Sequence, residues 1–317
     1  MIDMHTYVKE ALLRRQAMTA KLRNLFIGAV LAAVTILPSL ADPVQFAGES
    51  TVVTRDRFSD EIVGSGPDVI FIPGLASSRE TWKAVVARLK DHYRVHLIQM
   101  AGFAGEPSRA NGSGAVLVPT AEAIDAYLIE QHLTPATVIG HSMGGTMTLY
   151  LAEHHSADLK KVMMVDAAPF YATLMAGPTA TADSMKAMAD GIRASGGKMS
   201  DDQKAKMLAG MATAQSDKDM IAGWGKASDG SVVANAMADD LTLDLRPGLA
   251  SIKVPVTMLF PDYTPLGTPP GATAPMYAGA YAALPGMKLV PITDSLHFAM
   301  LDQPAQFNAA LDAFLAN

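Results

Sequence analysis

The sequence predicts an α/β protein with a mostly parallel central sheet, helices on both faces and one helical insertion. Three observations carry this. Short apolar runs alternate with amphipathic helical stretches, the signature of consecutive β–α units. The alternation stops after residue 166, continues as helical pattern only, and resumes near residue 249. Half of the 317 residues are hydrophobic and 18% are charged, a globular balance with enough chain for one large core.

In order, residues 51–55 read as an edge strand. Residues 68–73 (DVIFIP) are a continuous apolar run, as in a strand buried on both faces. A helix over 79–90 puts Trp82, Val85, Val86 and Leu89 on one face. Residues 95–100 (VHLIQM) form the next strand. A helix over 120–131 turns Ala121, Ile124, Leu128 and Ile129 inward. Residues 136–140 (ATVIG) form a strand that ends in a turn, 143–155 a helix, and 161–166 (KVMMVD) a strand. From 167 to about 246 no buried strand is convincing; helical stretches rich in Ala and Met are joined by Gly and Ser. Then come a strand (254–260), a helix (274–284), a strand (287–292) and a closing helix (304–315). The resulting division is a core of 42–166 and 249–317 with a lid of 167–248.

Residues 1–41 stand apart. Lys21 and Arg23 precede an uncharged run, 25–37 (LFIGAVLAAVTIL), and Ser39 and Ala41 supply the small residues of a cleavage site. This describes a secretory signal peptide cleaved after Ala41, hence a periplasmic or secreted protein. The alternative is a membrane anchor over 25–37, a run shorter than the roughly 20 residues a spanning helix needs. Met18 is an alternative start. Cleavage would leave 20 basic and 29 acidic residues, a charge of −9, which disfavours nucleic acid and a lasting association with anionic membranes. The absence of cysteine excludes disulfides, thiolate metal sites and a cysteine nucleophile. No phosphate-binding glycine motif follows a strand and no His–carboxylate spacing reads as a metal site, so neither cofactor nor metal is expected.

Residues 140–145 (GHSMGG) contain a G-x-S-x-G between the strand ATVI and a helix. That frame gives the motif its meaning: a sharp strand-to-helix turn presents Ser142 above the carboxyl edge of the sheet, at a helix N-terminus suited to developing negative charge. His141, its neighbour, is directed away along the turn and is not expected to be its base.

On these residues, together with the C-terminal segment 293–304 (TDSLHFAMLDQP), the chain resembles the α/β-hydrolase superfamily, in its lid-bearing branch of exported or soluble bacterial serine hydrolases. The resemblance spans about residues 50–317. It implies Ser142 as nucleophile and His297 as base, in the chain order this fold uses. It implies an oxyanion hole made by the backbone N–H groups of Leu75 and Met143; Pro73 stands where many members carry histidine, and Gly74 is kept. Gln99 stands where many members carry an acidic residue. Phe103, in the glycine-rich loop after the second core strand, is a candidate substrate contact or a core residue. For the acid, Asp262 after VPVTMLFP is preferred, with Asp166 after VMMV as the rival, since the family takes its acid from either strand. Asp294 is expected to shape the loop. The methionines of the insertion suit either an adaptable apolar wall or ordinary helix packing. The implied activity is hydrolysis of a small or medium carboxylic ester through an acyl-enzyme. Thioester, lactone or C–C cleavage are alternatives, and a non-catalytic binding protein is a weaker one.

Overall fold

Residues 50–316 are described in a computed structural model. The segment read as a signal peptide, the alternative anchor over 25–37 and the start at Met18 all lie outside the described residues. Among the described residues no helix is long and apolar enough to cross a membrane.

The strands are β1 (Ser50–Thr54), β2 (Phe58–Gly64), β3 (Asp68–Ile72), β4 (Arg94–Met100), β5 (Ala136–His141), β6 (Leu159–Val165), β7 (Val256–Pro261) and β8 (Lys288–Ile292). They form one sheet in the order β1-β2-β4-β3-β5-β6-β7-β8. The β1–β2 and β2–β4 pairs are antiparallel, and every later pair is parallel. Strand alternation feeds two cores. Ile70, Ile72, Val138, Met164 and Met258 point to one face, where they meet the Leu117–Glu130 and Met143–His154 helices. Val69, Phe71, Ile139, Met163 and Leu259 point to the other, against Trp82, Val85 and the Phe307 and Leu311 side chains of the last helix.

The strand β2 escapes a hydrophobicity reading because its sequence, FSDEIVG, is half polar. Asp60 and Glu61 are nevertheless buried. Asp60 Oδ2 accepts from His96 Nδ1 at 2.6 Å and from the Tyr127 hydroxyl at 2.8 Å, while Arg79 Nη1 reaches Glu61 at 3.4 Å. Such buried charges are tolerable only with partners, and the partners come from other elements. His96 Nε2 also meets Asp68 Oδ1 at 2.9 Å. Burial disfavours the charged imidazole, but the two carboxylates win and raise its proton affinity above the ordinary histidine value. A group raised in the folded state contributes stability that is complete below the unfolded value, about 6.5, and is lost as pH climbs through the folded one. We expect wild-type melting temperature to fall across that upper range, and a His96→Gln variant to melt lower with a flatter dependence. A variant with the same slope as wild type would remove His96 as the cause.

The expected inward face of the second helix needs one correction. Leu117, Ala121, Ile124 and Leu128 are buried, but Ile129 is 48% exposed. The buried positions step by four, three and four residues, and one residue beyond Leu128 the helix has turned away from the core.

Between β6 and β7 run five α-helices, Ala172–Ala176, Ala182–Ser195, Asp201–Ala209, Gln215–Ala227 and Gly230–Thr242. Phe170, Ala172, Ala180, Met185 and Leu241 form a small apolar cluster of their own. The insertion is tied to the loop after β4: Asp229 N–H donates to the Gly102 carbonyl at 2.8 Å, Gly105 N–H to that of Ala227 at 3.1 Å, and Ala104 N–H to Ser228 Oγ at 2.8 Å. Its methionines divide. Met175, Met188, Met199 and Met207 are exposed, Met185 is buried, and Met211, Met220 and Met237 pack against apolar clusters.

Candidate active site

The turn after β5 is built by close approach. A Cβ on Gly144 would sit 2.4 Å from the Ile72 carbonyl oxygen and 2.6 Å from that of Pro73, so the first turn of the Met143–His154 helix can lie against the end of β3 only with glycine there. Ser142 itself has φ +54° and ψ −125°, a region a side chain enters only when its surroundings hold it. Those surroundings are its N–H, which donates to the Val165 carbonyl at 2.9 Å, and its carbonyl, which accepts from Gly145 and Thr146 at 2.7 and 3.0 Å. Gly74 faces the turn from β3, where a Cβ would be 2.9 Å from that of Ser142. Leu75 therefore follows a residue in contact with the serine, and Met143 begins the helix directly after it.

Gln99 supports this neighbourhood. Its Oε1 accepts from Arg79 N–H at 2.9 Å, and its Nε2 donates to the carbonyls of Ser77 and Phe103 at 3.1 and 3.3 Å. A neutral amide thus ties the turn after β3 to the loop after β4, a task that needs a donor and an acceptor together. Phe103, a candidate substrate contact, is 0% exposed and packs within the core cluster that also holds Val232. The turn at Gly102, over which Val232 closes, directs it into the core.

His297 follows β8, and its Nδ1 lies 2.6 Å from Asp166 Oδ2. The preferred acid, Asp262, is not its partner. Asp262 Oδ1 accepts from Thr264 N–H and Oγ1 at 3.1 and 3.0 Å and from Ser295 N–H at 3.4 Å. It closes the loop between two chain segments instead of facing the imidazole. The correction has a topological reason. The strand β6 is next to β5, which carries the serine turn, whereas β7 is one strand further, and neighbouring strands are about 4.8 Å apart. Asp166, the residue directly after β6, has φ +46°. Burial raises the proton affinity of Asp166, but His297 and the Tyr263 and Tyr277 hydroxyls outweigh it and hold the carboxyl below its ordinary range. Asp294, also at positive φ, shapes the loop before the histidine.

His141 lies buried beneath the site. Its Nε2 donates to the His297 carbonyl at 3.0 Å, and the two rings are 4.6 Å apart. Burial, then the nearby His297, pushes its imidazole down to about 3, so it is a neutral donor that fixes the backbone of the second histidine. The insertion reaches the same loop: His297 and Phe298 N–H donate to the Gly210 and Met211 carbonyls at 3.2 and 2.8 Å. Asp302 joins the two, accepting from Thr213 N–H at 2.7 Å and from Leu296 N–H at 2.8 Å. None of these supporting roles is readable from spacing, although Asp302 stands in the segment HFAMLDQP. Further away, Asp125, His155 and Asp158 place possible metal-ligand atoms within 4.8 Å of one another. Both ring nitrogens of that histidine already meet carboxylates, Asp125 at 3.0 Å and Glu122 at 3.1 Å.

A sequence model described as the alpha/beta hydrolase family matches residues 69–310. Among curated proteins, the chain is 28% identical over 109 residues to a pimeloyl-[acyl-carrier protein] methyl ester esterase of Vibrio vulnificus, covering 34% of this chain and 40% of the relative. The figure is 33% over 115 residues for the same enzyme of Aeromonas hydrophila, covering 36% and 42%. The chain thus spans about two fifths of the length of the curated relatives it matches. Among solved structures, a hydrolase from Pseudomonas aeruginosa superposes with a TM-score of 0.68 at 20% identity, covering 86% of this chain and all of that one. An enol-lactonase from Burkholderia xenovorans gives 0.66 at 19%, covering 82% and 96%.

Proposed function

From the premise that this chain belongs to the alpha/beta hydrolase family, we propose that it is a serine hydrolase that cleaves a carboxylic ester, with Ser142 as nucleophile, His297 as base and Asp166 as acid. The observation that carries the reading is the 2.6 Å contact between His297 Nδ1 and Asp166 Oδ2, on a loop bonded to the residue beside a serine held at φ +54°.

In the proposed reaction, Ser142 Oγ attacks the ester carbonyl carbon as His297 Nε2 takes its proton. The carbonyl oxygen becomes an oxyanion, stabilised by the N–H groups of Leu75 and Met143; losing one such donor costs on the order of 10²–10³ in rate. His297 then gives the proton to the departing alkoxide, and an alcohol leaves. A water, deprotonated by His297, attacks the acyl-enzyme, and the acid is released as Ser142 recovers its proton. Asp166 holds Nδ1–H throughout and favours the imidazolium that forms twice in the cycle. The acid is buried, with a side chain only 3% exposed, while His297 is 18% exposed and can meet substrate and water.

Ester substrates are favoured by the esterases among the curated relatives. Lactone hydrolysis is the second reading, since the same steps open a cyclic ester and one structural neighbour is an enol-lactonase. The test is active-site labelling followed by a substrate panel. A fluorophosphonate should modify wild type at Ser142 alone, and p-nitrophenyl esters of graded chain length should be turned over where lactones of matched size are compared. Protein that stays unlabelled would reject a serine hydrolase, and labelled protein that opens only lactones would select the second reading.

A further inference from the structure

Asp166 is served by two phenols as well as by the imidazole. The Tyr263 hydroxyl donates to Oδ2 at 2.6 Å, the oxygen that also meets His297 Nδ1, and the Tyr277 hydroxyl donates to Oδ1. The two tyrosines come from different elements. Tyr263 sits in the left-handed region at φ +55°, just after β7, in the loop where the resemblance placed a possible acid. Tyr277 is buried on the Thr273–Ala280 helix, its ring 4.9 Å from that of Phe260. The other titratable groups near Asp166 are Tyr171, Tyr281 and His141. Tyr281 donates to the Ala167 carbonyl at 3.1 Å and His141 to that of His297, so neither donates to the carboxylate.

We propose that Tyr263 and Tyr277 are positioning residues that set the lower pH limit of the triad, by holding both oxygens of Asp166 and spreading its charge so that the imidazole gives up its proton more readily. The inference rests on the triad reading above. A carboxylate buried in this way with one imidazole for company would be poorly solvated, and its whole charge would retain the imidazolium proton. Two hydroxyl donors replace the lost water. They also keep Oδ2 aimed at Nδ1 when the imidazole is neutral and its pull on the carboxylate is weaker. Burial and then the Asp166 charge push both phenols well above their ordinary range, so both remain donors across the working pH.

The experiment is the pH profile of kcat/KM on a non-ionising ester for wild type, Tyr263→Phe, Tyr277→Phe and Tyr281→Phe, with melting temperatures alongside. Removing either donor to Asp166 should move the acid limb up by roughly half to one pH unit, with the plateau rate within about threefold of wild type. Tyr281→Phe loses a buried hydroxyl of the same kind without touching Asp166, so its limb should stay in place. A merely structural role would lower the melting temperature or the plateau and leave the limb unmoved. The proposal is overturned if both Asp166-facing variants keep the wild-type limb, or if Tyr281→Phe shifts it as far. Should Tyr277→Phe fail to fold, the half-buried Tyr263 decides alone, because it shares Oδ2 with the histidine. Asp166→Asn in the same series separates the two levels. If it is fully active, the triad reading fails. If it is crippled while both phenylalanine variants keep the wild-type profile, only the tyrosine inference does.

Discussion

Ser142→Ala should melt with wild type and lose ester hydrolysis by a factor of about 10⁶ in kcat, the scale seen when the nucleophile of such a triad is removed. The size follows from what remains. The variant keeps the backbone donors at Leu75 and Met143 and keeps His297, but no atom is left to form the acyl-enzyme. Water would have to attack directly without an oriented nucleophile. Folding should be spared because the Ser142 backbone, not its hydroxyl, makes the bonds to Val165, Gly145 and Thr146. Alanine also relieves no clash and creates no cavity in this half-exposed position. The measurement is initial rate against a p-nitrophenyl ester at saturating concentration, on protein repurified to remove host esterases. More than a tenth of wild-type activity in that preparation would end the nucleophile assignment.

Asp166→Asn is expected to lose about 10⁴ in kcat near pH 7, and Asp262→Asn far less than a hundredfold. In Asp166→Asn the amide can turn its NH₂ toward Nδ1, favouring the tautomer that carries its proton on Nε2, and the imidazolium loses its counter-charge. Asp262→Asn should act on stability, because its carboxylate gathers Thr264 and Ser295 into one loop. A cost of roughly 0.5–3 kcal/mol fits that role. Burial raises the proton affinity of Asp262, but the backbone donors, Thr264 first, hold it below the ordinary aspartate range. Its contribution is therefore present above about pH 3.9 and fades as pH falls through the folded value. Rates and thermal melts on the two variants separate the roles. If Asp262→Asn were the slower enzyme, the hydrogen bond from His297 to Asp166 would be structural.

The sequence by itself determined the parallel core, the place of the insertion and the turn that presents Ser142. Each depends on local information. Apolar runs of strand length, helical periodicity and glycine at 140, 144 and 145 all lie within a few residues of the structure they cause. His297 was legible for a similar reason, as the loop after the last strand and before the last helix can be counted along the chain. The tertiary structure alone decided which carboxylate meets His297, because Asp166 and Asp262 both end central strands and only the order of β5, β6 and β7 distinguishes them. It also decided β2, whose buried Asp60 and Glu61 are matched by His96, Tyr127 and Arg79 from distant segments. Phe103 and Gln99 belong with these. The first was drawn into the core by a turn, and the second joins two loops through both ends of one amide. What pairs with a polar group across a sheet has no period along the chain, so the burial of a charge and the partner that makes it tolerable emerge together, on folding.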